Sequence, residues 1–215
     1  MVKLYGIGTN DADYKVTASE HVDGKLKTVW TCPYYIKWGN MLRRCYSPTY
    51  QAETPTYEKV KVEDSWLYFS NFKRWMETQY WEGGELDKDI LSKGQSLLYS
   101  EESCCFVPRR VNSVLHMNSK TRGQWPIGVT LHPTGKFLTL CKDKEAKQKN
   151  LGFSSSPEIA HSKWQIFKAD VVEHVANEYA VSPYYRKDVY NNLILVSEKL
   201  RDDYRNGRET VSMWT

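Results

Sequence analysis

Apolar side chains in residues 33–46 recur at three- and four-residue spacing: Tyr35, Trp38, Met41, Leu42 and Cys45. That is the period of one helix face, so the stretch predicts a helix. Arg43 and Arg44 lie near its end, where cations suit the helix dipole. Residues 47–57, with two prolines, read as a loop. A short strand starts in 60–66. Over 65–81, Trp66, Phe69, Phe72, Trp75 and Met76 make one apolar helix face, which Gly83 and Gly84 end. Residues 85–91 then read as a strand, 92–96 as a turn and 97–100 as the return strand of a hairpin. Pro108 fits the first turn of a helix whose apolar face is Val111, Val114 and Leu115. Ahead of all this, residues 1–30 read as an arm rich in turn formers, with an Asp-Gly turn in HVDG.

The pattern changes after 118–125, a polar, Gly-containing stretch that is the best candidate domain boundary. PIGVTLH, GKFLTLC and KQKNLGF are short runs of β-type alternation, separated by HPTG and KDKEA. They predict a three-stranded antiparallel sheet. A long amphipathic helix follows over 154–179. It has a serine cap in 154–156, Pro157 in the first turn and Glu158 at the positive end of the dipole. Ile159, Trp164, Phe167, Val171 and Val175 are expected to face the sheet. A last helix is expected over about 186–205. The fold class is therefore α+β: an aromatic-rich helical region with a ββα segment, then a sheet-plus-helix module. The expected parts are an arm (1–30), a first domain (31–118), a second (119–180) and a C-terminal helical extension (181–215).

Composition adds a choice between two uses for aromatic rings. The chain carries 15 Tyr, 8 Trp and 6 Phe, and such rings build small cores or stack on bases. The core is the default, because large rings are usually buried. A net charge of +4 is too mild to indicate nucleic acid by itself. Clustering says more: Lys136, Lys142, Lys144, Lys147 and Lys149 share one stretch, while Lys73, Arg74, Arg109 and Arg110 lie nearer the middle. The plain alternative for each is a solvated face. Five cysteines, Cys32, Cys45, Cys104, Cys105 and Cys141, form no C-x-x-C pair, so no zinc site is expected. The first residues contain no apolar signal core and no stretch has the length of a membrane span. A reduced, cytoplasmic thiol set with no membrane partner is the expectation.

The stretch LDKDILSKGQSLLYSEESCCFVPRRVN carries candidate chemistry. A hairpin that feeds a short helix, with acids on the first strand and Asn on the helix, is the layout of a ββα-metal nuclease site. Phosphodiester cleavage needs a divalent metal at the leaving oxygen and a base for water. Hard oxygen ligands suit Mg²⁺ or Mn²⁺. A thiol nucleophile at Cys104 or Cys105 would need an oriented base, and no such signature is present.

This segment resembles the HNH endonuclease signature in its phage and prophage variant. CPYYIKWGNMLRRCYS, FSNFKRWM, ELDKDIL and CCFVPRRVN occur in the order found in those proteins, and GIGTNDADY at the start is similar too. PIGVTLHPTGKFLTLC with LGFSSSPEIAHSKW resembles the AP2 domain, a three-stranded sheet on one helix. Together these cover roughly residues 1–180. The resemblance implies a metal-dependent endonuclease acting on double-stranded DNA. Asp87-Lys88 stands where the family has Asp-His, Ser103 stands at the central Asn, and Asn112 at the closing position. Asp87 and Asn112 are the implied metal pair, and the histidine base is missing. Lysine has an ordinary pKa of about 10.4, so Lys88 suits phosphate contact better than proton abstraction. Asp89 is a substitute base or second ligand, and His116 another candidate.

The AP2 resemblance implies that the exposed sheet face meets DNA. Its candidates are Arg122, Thr130, Lys136, Thr139, Lys142, Lys147 and Lys149, joined by Arg109 and Arg110. Most are lysines, which favour phosphate contact over base reading. Three functions stay open: a DNA endonuclease, a DNA-binding protein on the same scaffold without the reaction, and a module whose aromatic surface binds a host protein.

Overall fold

The computed structural model describes residues 3–116 and 123–214. Its α+β chain forms two compact units, Met1–Phe106 and Val107–Thr215. The division falls between Phe106 and Val107. Most of the 118–125 stretch lies outside the described residues.

The first unit is built on α1 (Pro33–Tyr46) and α3 (Phe69–Met76), separated by a short α2 (Pro48–Glu53). The predicted helix faces are its core: Trp38, Met41, Leu42, Phe69, Phe72 and Met76 are almost completely buried. Their rings meet edge-on or tilted, as aromatic quadrupoles prefer. Tyr35 lies edge-on to Phe69 at 5.4 Å, and Trp66 edge-on to Phe72 at 5.1 Å. The Trp38 indole N–H donates to Trp66 O at 2.7 Å, which satisfies the one polar atom of that buried ring. Trp38, Trp66, Phe69, Phe72 and Trp75 are thus core, as their spacing indicated.

Residues 47–57 are not a plain loop. Ser47 Oγ accepts the Tyr50 N–H, Pro48 occupies the first turn, and α2 follows. Serine then proline is a helix start, and the two prolines masked it. Nor is all of 1–30 an arm. Thr9 N–H donates to Leu67 O, and Phe69 N–H donates back to Thr9 O. Asp11 caps α3, accepting the Ser70 N–H at 2.8 Å and the Ser70 hydroxyl at 2.5 Å. Gly8 sits so close to the core that a Cβ would lie 2.3 Å from Leu42. Only the hairpin β1 (Thr17–Val22) and β2 (Lys25–Thr31) projects. Its turn is Asp23-Gly24, both at positive φ, as a two-residue hairpin requires.

In the second unit, α5 (Arg109–Leu115) precedes β7 (Val129–Leu131), β8 (Phe137–Lys142) and β9 (Gln148–Ser154). The long helices α6 (Pro157–Ala180) and α7 (Lys187–Arg205) follow. The strands form an antiparallel sheet in the order β7-β8-β9, as predicted. Ser156 caps α6, with Pro157 and Glu158 in the first turn. One expectation needs correction. α6 is not amphipathic with a single buried face, because it packs on the sheet and also along α7. Thr139 Oγ1 donates to Ala160 O from the sheet, and Ser197 Oγ donates to Ala169 O from α7. A helix covered on two sides buries most of its circumference. Trp164, Val171 and Val175 are buried as expected, whereas Ile159 is exposed.

Candidate nucleic-acid interface and the Asp87 segment

The predicted hairpin over 85–100 does not form. β4 (Glu85–Asp87) ends at Asp87, and the chain turns at once into a short helix, α4 (Asp89–Ser92). β4 pairs with β6 (Cys105–Val107), while β5 (Leu98–Tyr99) pairs in parallel with β3 (Lys61–Val62). The cause is Asp87. Its Oδ1 accepts the backbone N–H groups of Asp89 and Ile90, both at 2.8 Å, which is the capping geometry that starts a helix. Asp-x-Asp read as a strand is, locally, a helix-start signal.

Asp87 is only 8% exposed. Burial pushes its carboxyl above the ordinary carboxylate value, although bonds from Ile90 and Asp89 N–H groups oppose the shift. Lys88 is also buried, and its ammonium donates to Asp89 Oδ1 at 2.5 Å and Ser96 O at 3.2 Å. Ser103 is buried within its own segment, its hydroxyl donating to Leu98 O at 2.6 Å. A hard divalent cation needs several oxygens free to turn toward it. In the first unit, the two carboxylates already hold backbone N–H groups and an ammonium. Asn112, the other expected ligand, is on α5 in the second unit, so the pair is not brought together within either unit. Cys104 and Cys105 are buried and joined in no disulfide, and burial pushes the Cys104 thiol up to about 12, away from the reactive thiolate.

The sheet of the second unit separates the remaining candidates by face. Cross-strand partners point the same way, so the register assigns each one. Phe137, Thr139 and Cys141 face α6. Leu138, Leu140 and Lys142 face outward, opposite Phe153, Asn150 and Gln148 of β9. Thr130, paired with Leu138, is outward too. The DNA-facing assignment of Thr139 is therefore corrected. It is 0% exposed and bonded to the helix. Lys149 is also turned to the helix side, where its ammonium lies 5.3 Å from the Phe167 ring centre. Lys136 and Lys147 are exposed in the turns flanking β8. Arg109 is exposed on α5, whereas Arg110 is spent on structure, its Nη2 donating to Asp143 O at 2.7 Å and Lys144 O at 2.9 Å. Arg122 lies outside the described residues.

Several outward residues escaped the sequence reading. Phe153 is 44% exposed, and its ring meets that of His132 edge-on at 5.0 Å. A bulge explains the miss. Leu138 pairs with Phe153 and Leu140 with Asn150, so β9 carries an extra residue around Leu151-Gly152. Gly152 has φ +93° there, and its N–H is held by Asn150 Oδ1. Strict alternation would place Phe153 and Asn150 on opposite faces, and the bulge puts them on one.

No family model, no curated protein and no solved structure matches this chain. Among the described residues no helix is long and apolar enough to cross a membrane.

Proposed function

We infer that this chain is a double-stranded-DNA-binding protein that uses the outward face of β7-β8-β9, and that it retains a nuclease-like segment without its reaction. One observation carries the reading. The sheet is packed on α6 by one face, while the other presents Thr130, Lys142, Asn150 and Phe153 to solvent. An antiparallel sheet is narrow enough to enter a major groove. Lys136, Lys142 and Lys147 supply phosphate contacts, and Thr130 and Asn150 have the hydrogen-bonding groups to read base edges. With no arginine among the described residues of this face, modest sequence selectivity follows. The resemblance to AP2 domains supports the same face.

The Asp87 segment supports the non-hydrolytic form of the proposal. Its carboxylates cap a helix and pair with Lys88, and the general base of the resembled family is absent. The test is a gel shift and a nicking assay on one preparation. Purified protein is incubated with supercoiled plasmid in Mg²⁺, in Mn²⁺ and in EDTA. A Lys142→Ala, Phe153→Ala variant is run beside it. Retardation that weakens steeply with salt and is lost in the variant, with the plasmid intact, is the expected result. Metal-dependent nicking abolished by Asp87→Ala would restore the endonuclease reading. Absence of retardation at low salt would overturn DNA binding and leave a protein partner as the alternative.

A further inference from the structure

The outward face of β7-β8-β9 is graded along its strands from apolar to cationic. Thr130, Leu138 and Phe153 are cross-strand partners and form one row. Leu140 and Asn150 form the next, and Lys142 and Gln148 the last. Cross-strand partners share a face, so a ligand lying on this sheet meets all three rows. A sheet face turned to solvent ordinarily carries polar side chains. Here Leu138 and Leu140 are half-buried and Phe153 is 44% exposed, so apolar side chains occupy positions where water would favour polar ones.

Local contacts hold this row in place. The Phe153 ring meets that of His132 edge-on at 5.0 Å, and His132 Nδ1 is bonded to the Thr134 hydroxyl at 2.8 Å. Asn150 Oδ1 accepts the Gly152 N–H at 2.8 Å, across the bulge that brings Phe153 to this face. That bond fixes the amide and leaves its NH2 group as the donor it can offer a ligand.

In a major groove each base is read by a different side-chain chemistry. Guanine takes the paired donors of arginine or lysine, cytosine N4 takes a carboxylate, and the thymine 5-methyl takes an apolar contact. Among the described residues of the outward face there is no arginine and no carboxylate. The lysine of this face, Lys142, is four residues along β8 from Leu138, in the last row. The Asn150 NH2 group can donate to a purine N7, which every base pair presents, so it does not choose among them. Discrimination therefore falls to the apolar row. The lack of carboxylates also suits the face to a polyanion, with Lys136 and Lys147 exposed in the turns that flank β8.

We propose that Leu138 and Phe153 read the 5-methyl group of thymine in the major groove, which directs this protein to duplexes rich in A·T pairs. The inference rests on the DNA-binding reading of the same face and names what that face selects. The methyl is the apolar feature of a base-pair edge, and covering it with Leu138 and Phe153 removes apolar surface of both partners from water. Cytosine carries a hydrogen at the same position, so a G·C pair offers this row no apolar contact.

Fluorescence anisotropy with the full chain tests the inference on two pairs of duplexes. The first pair is an A·T-rich duplex and the same duplex with deoxyuridine for every thymine, which removes the methyl groups alone. The second is a G·C-rich duplex and the same duplex with 5-methylcytosine for every cytosine, which adds a methyl at the corresponding place. In each pair the methyl-bearing duplex should bind at least about fourfold more tightly, the gain from burying a single methyl-sized group. Phe153→Ala should bring both ratios down toward unity, and a thermal melt shows that the variant folds. Lys142→Ala should weaken binding to every duplex alike and keep both ratios, as loss of a phosphate contact does. Binding that ignores the methyl in both pairs would overturn the inference and leave the DNA-binding reading intact. Ratios unchanged in Phe153→Ala would also overturn it. A parent protein that binds none of these duplexes at low salt would overturn both readings together.

Discussion

Replacing Asp87 by Ala and by Asn separates a structural carboxylate from a metal ligand. The side chain is buried, and its Oδ1 accepts two backbone N–H groups at 2.8 Å, one of them fully buried. Ala removes both acceptors. A lost cap costs about 1 kcal/mol, and a buried N–H left without a partner about 1–3 kcal/mol. Asp87→Ala should therefore destabilise by about 2–4 kcal/mol. Asn keeps an oxygen in the same place and carries no charge into the protein. Burial raises the Asp87 pKa above its ordinary 3.8. As pH falls, the folded state takes up that proton before the unfolded state does. The ionised carboxylate therefore opposes folding at pH 7, and this cost disappears below about 3.8. Asp87→Asn should be as stable as the parent or more stable at pH 7, and lose any advantage near pH 3.5. Urea unfolding followed by tryptophan fluorescence reads both comparisons as shifts in midpoint at constant slope. Equal stability of the Ala and Asn variants at pH 7 would refute the capping role, and an Asn variant well below the parent would refute the argument from buried charge.

Three further predictions concern the second unit. Gly128 has φ +80°, and a Cβ there would meet the buried Trp164 ring at 2.1 Å. Gly128→Ala should cost about 2–5 kcal/mol, from left-handed backbone strain plus overpacking, and should speed amide exchange in β8 and α6. Asp203 carries the opposite sign from Asp87. Burial pushes its pKa up, but bonds from Lys199, Thr210 and Arg208 outweigh it and bring it below 3.8. Its contribution is present above that pH and fades as pH falls through the folded-state value, so Asp203→Asn should flatten the acid limb of a Tm-against-pH curve. Thr139→Val removes the bond to Ala160 O and leaves the outward sheet face unchanged. It should cost about 1 kcal/mol in chemical unfolding while leaving DNA affinity within twofold, whereas weakening comparable to that of Phe153→Ala would refute the face assignment.

Much of this fold is legible in the residues because its signals are local. The spacing of Trp38, Met41 and Leu42, and of Phe69, Phe72 and Met76, marks buried helix faces. A serine of 154–156 followed by Pro157 and Glu158 marks the start of α6, and the structure assigns the cap to Ser156. Alternation in three short runs marks the sheet, and Asp23-Gly24 its own hairpin turn. Each depends on groups a few residues apart, so tertiary packing reinforces it.

The candidate sites were less legible, because they depend on distances that the chain does not encode locally. Whether Asp87 begins a hairpin or caps a helix turns on where residues 97–100 find a partner, and they pair with Lys61–Val62 rather than with β4. That Phe153 shares the outward face with Asn150 turns on a bulge at Leu151-Gly152 that shifts the alternation of β9. That Arg201 pairs with Asp170 and Glu173 is likewise a contact between two helices. The sequence by itself determined the α+β class, the main helices, the three-stranded sheet and most of the aromatic core, since these follow from short-range periodicity and capping. Only the tertiary structure decided strand partners, sheet faces and the environment of each charge, since these arise where segments remote in the chain compete for the same hydrogen bonds and the same buried volume.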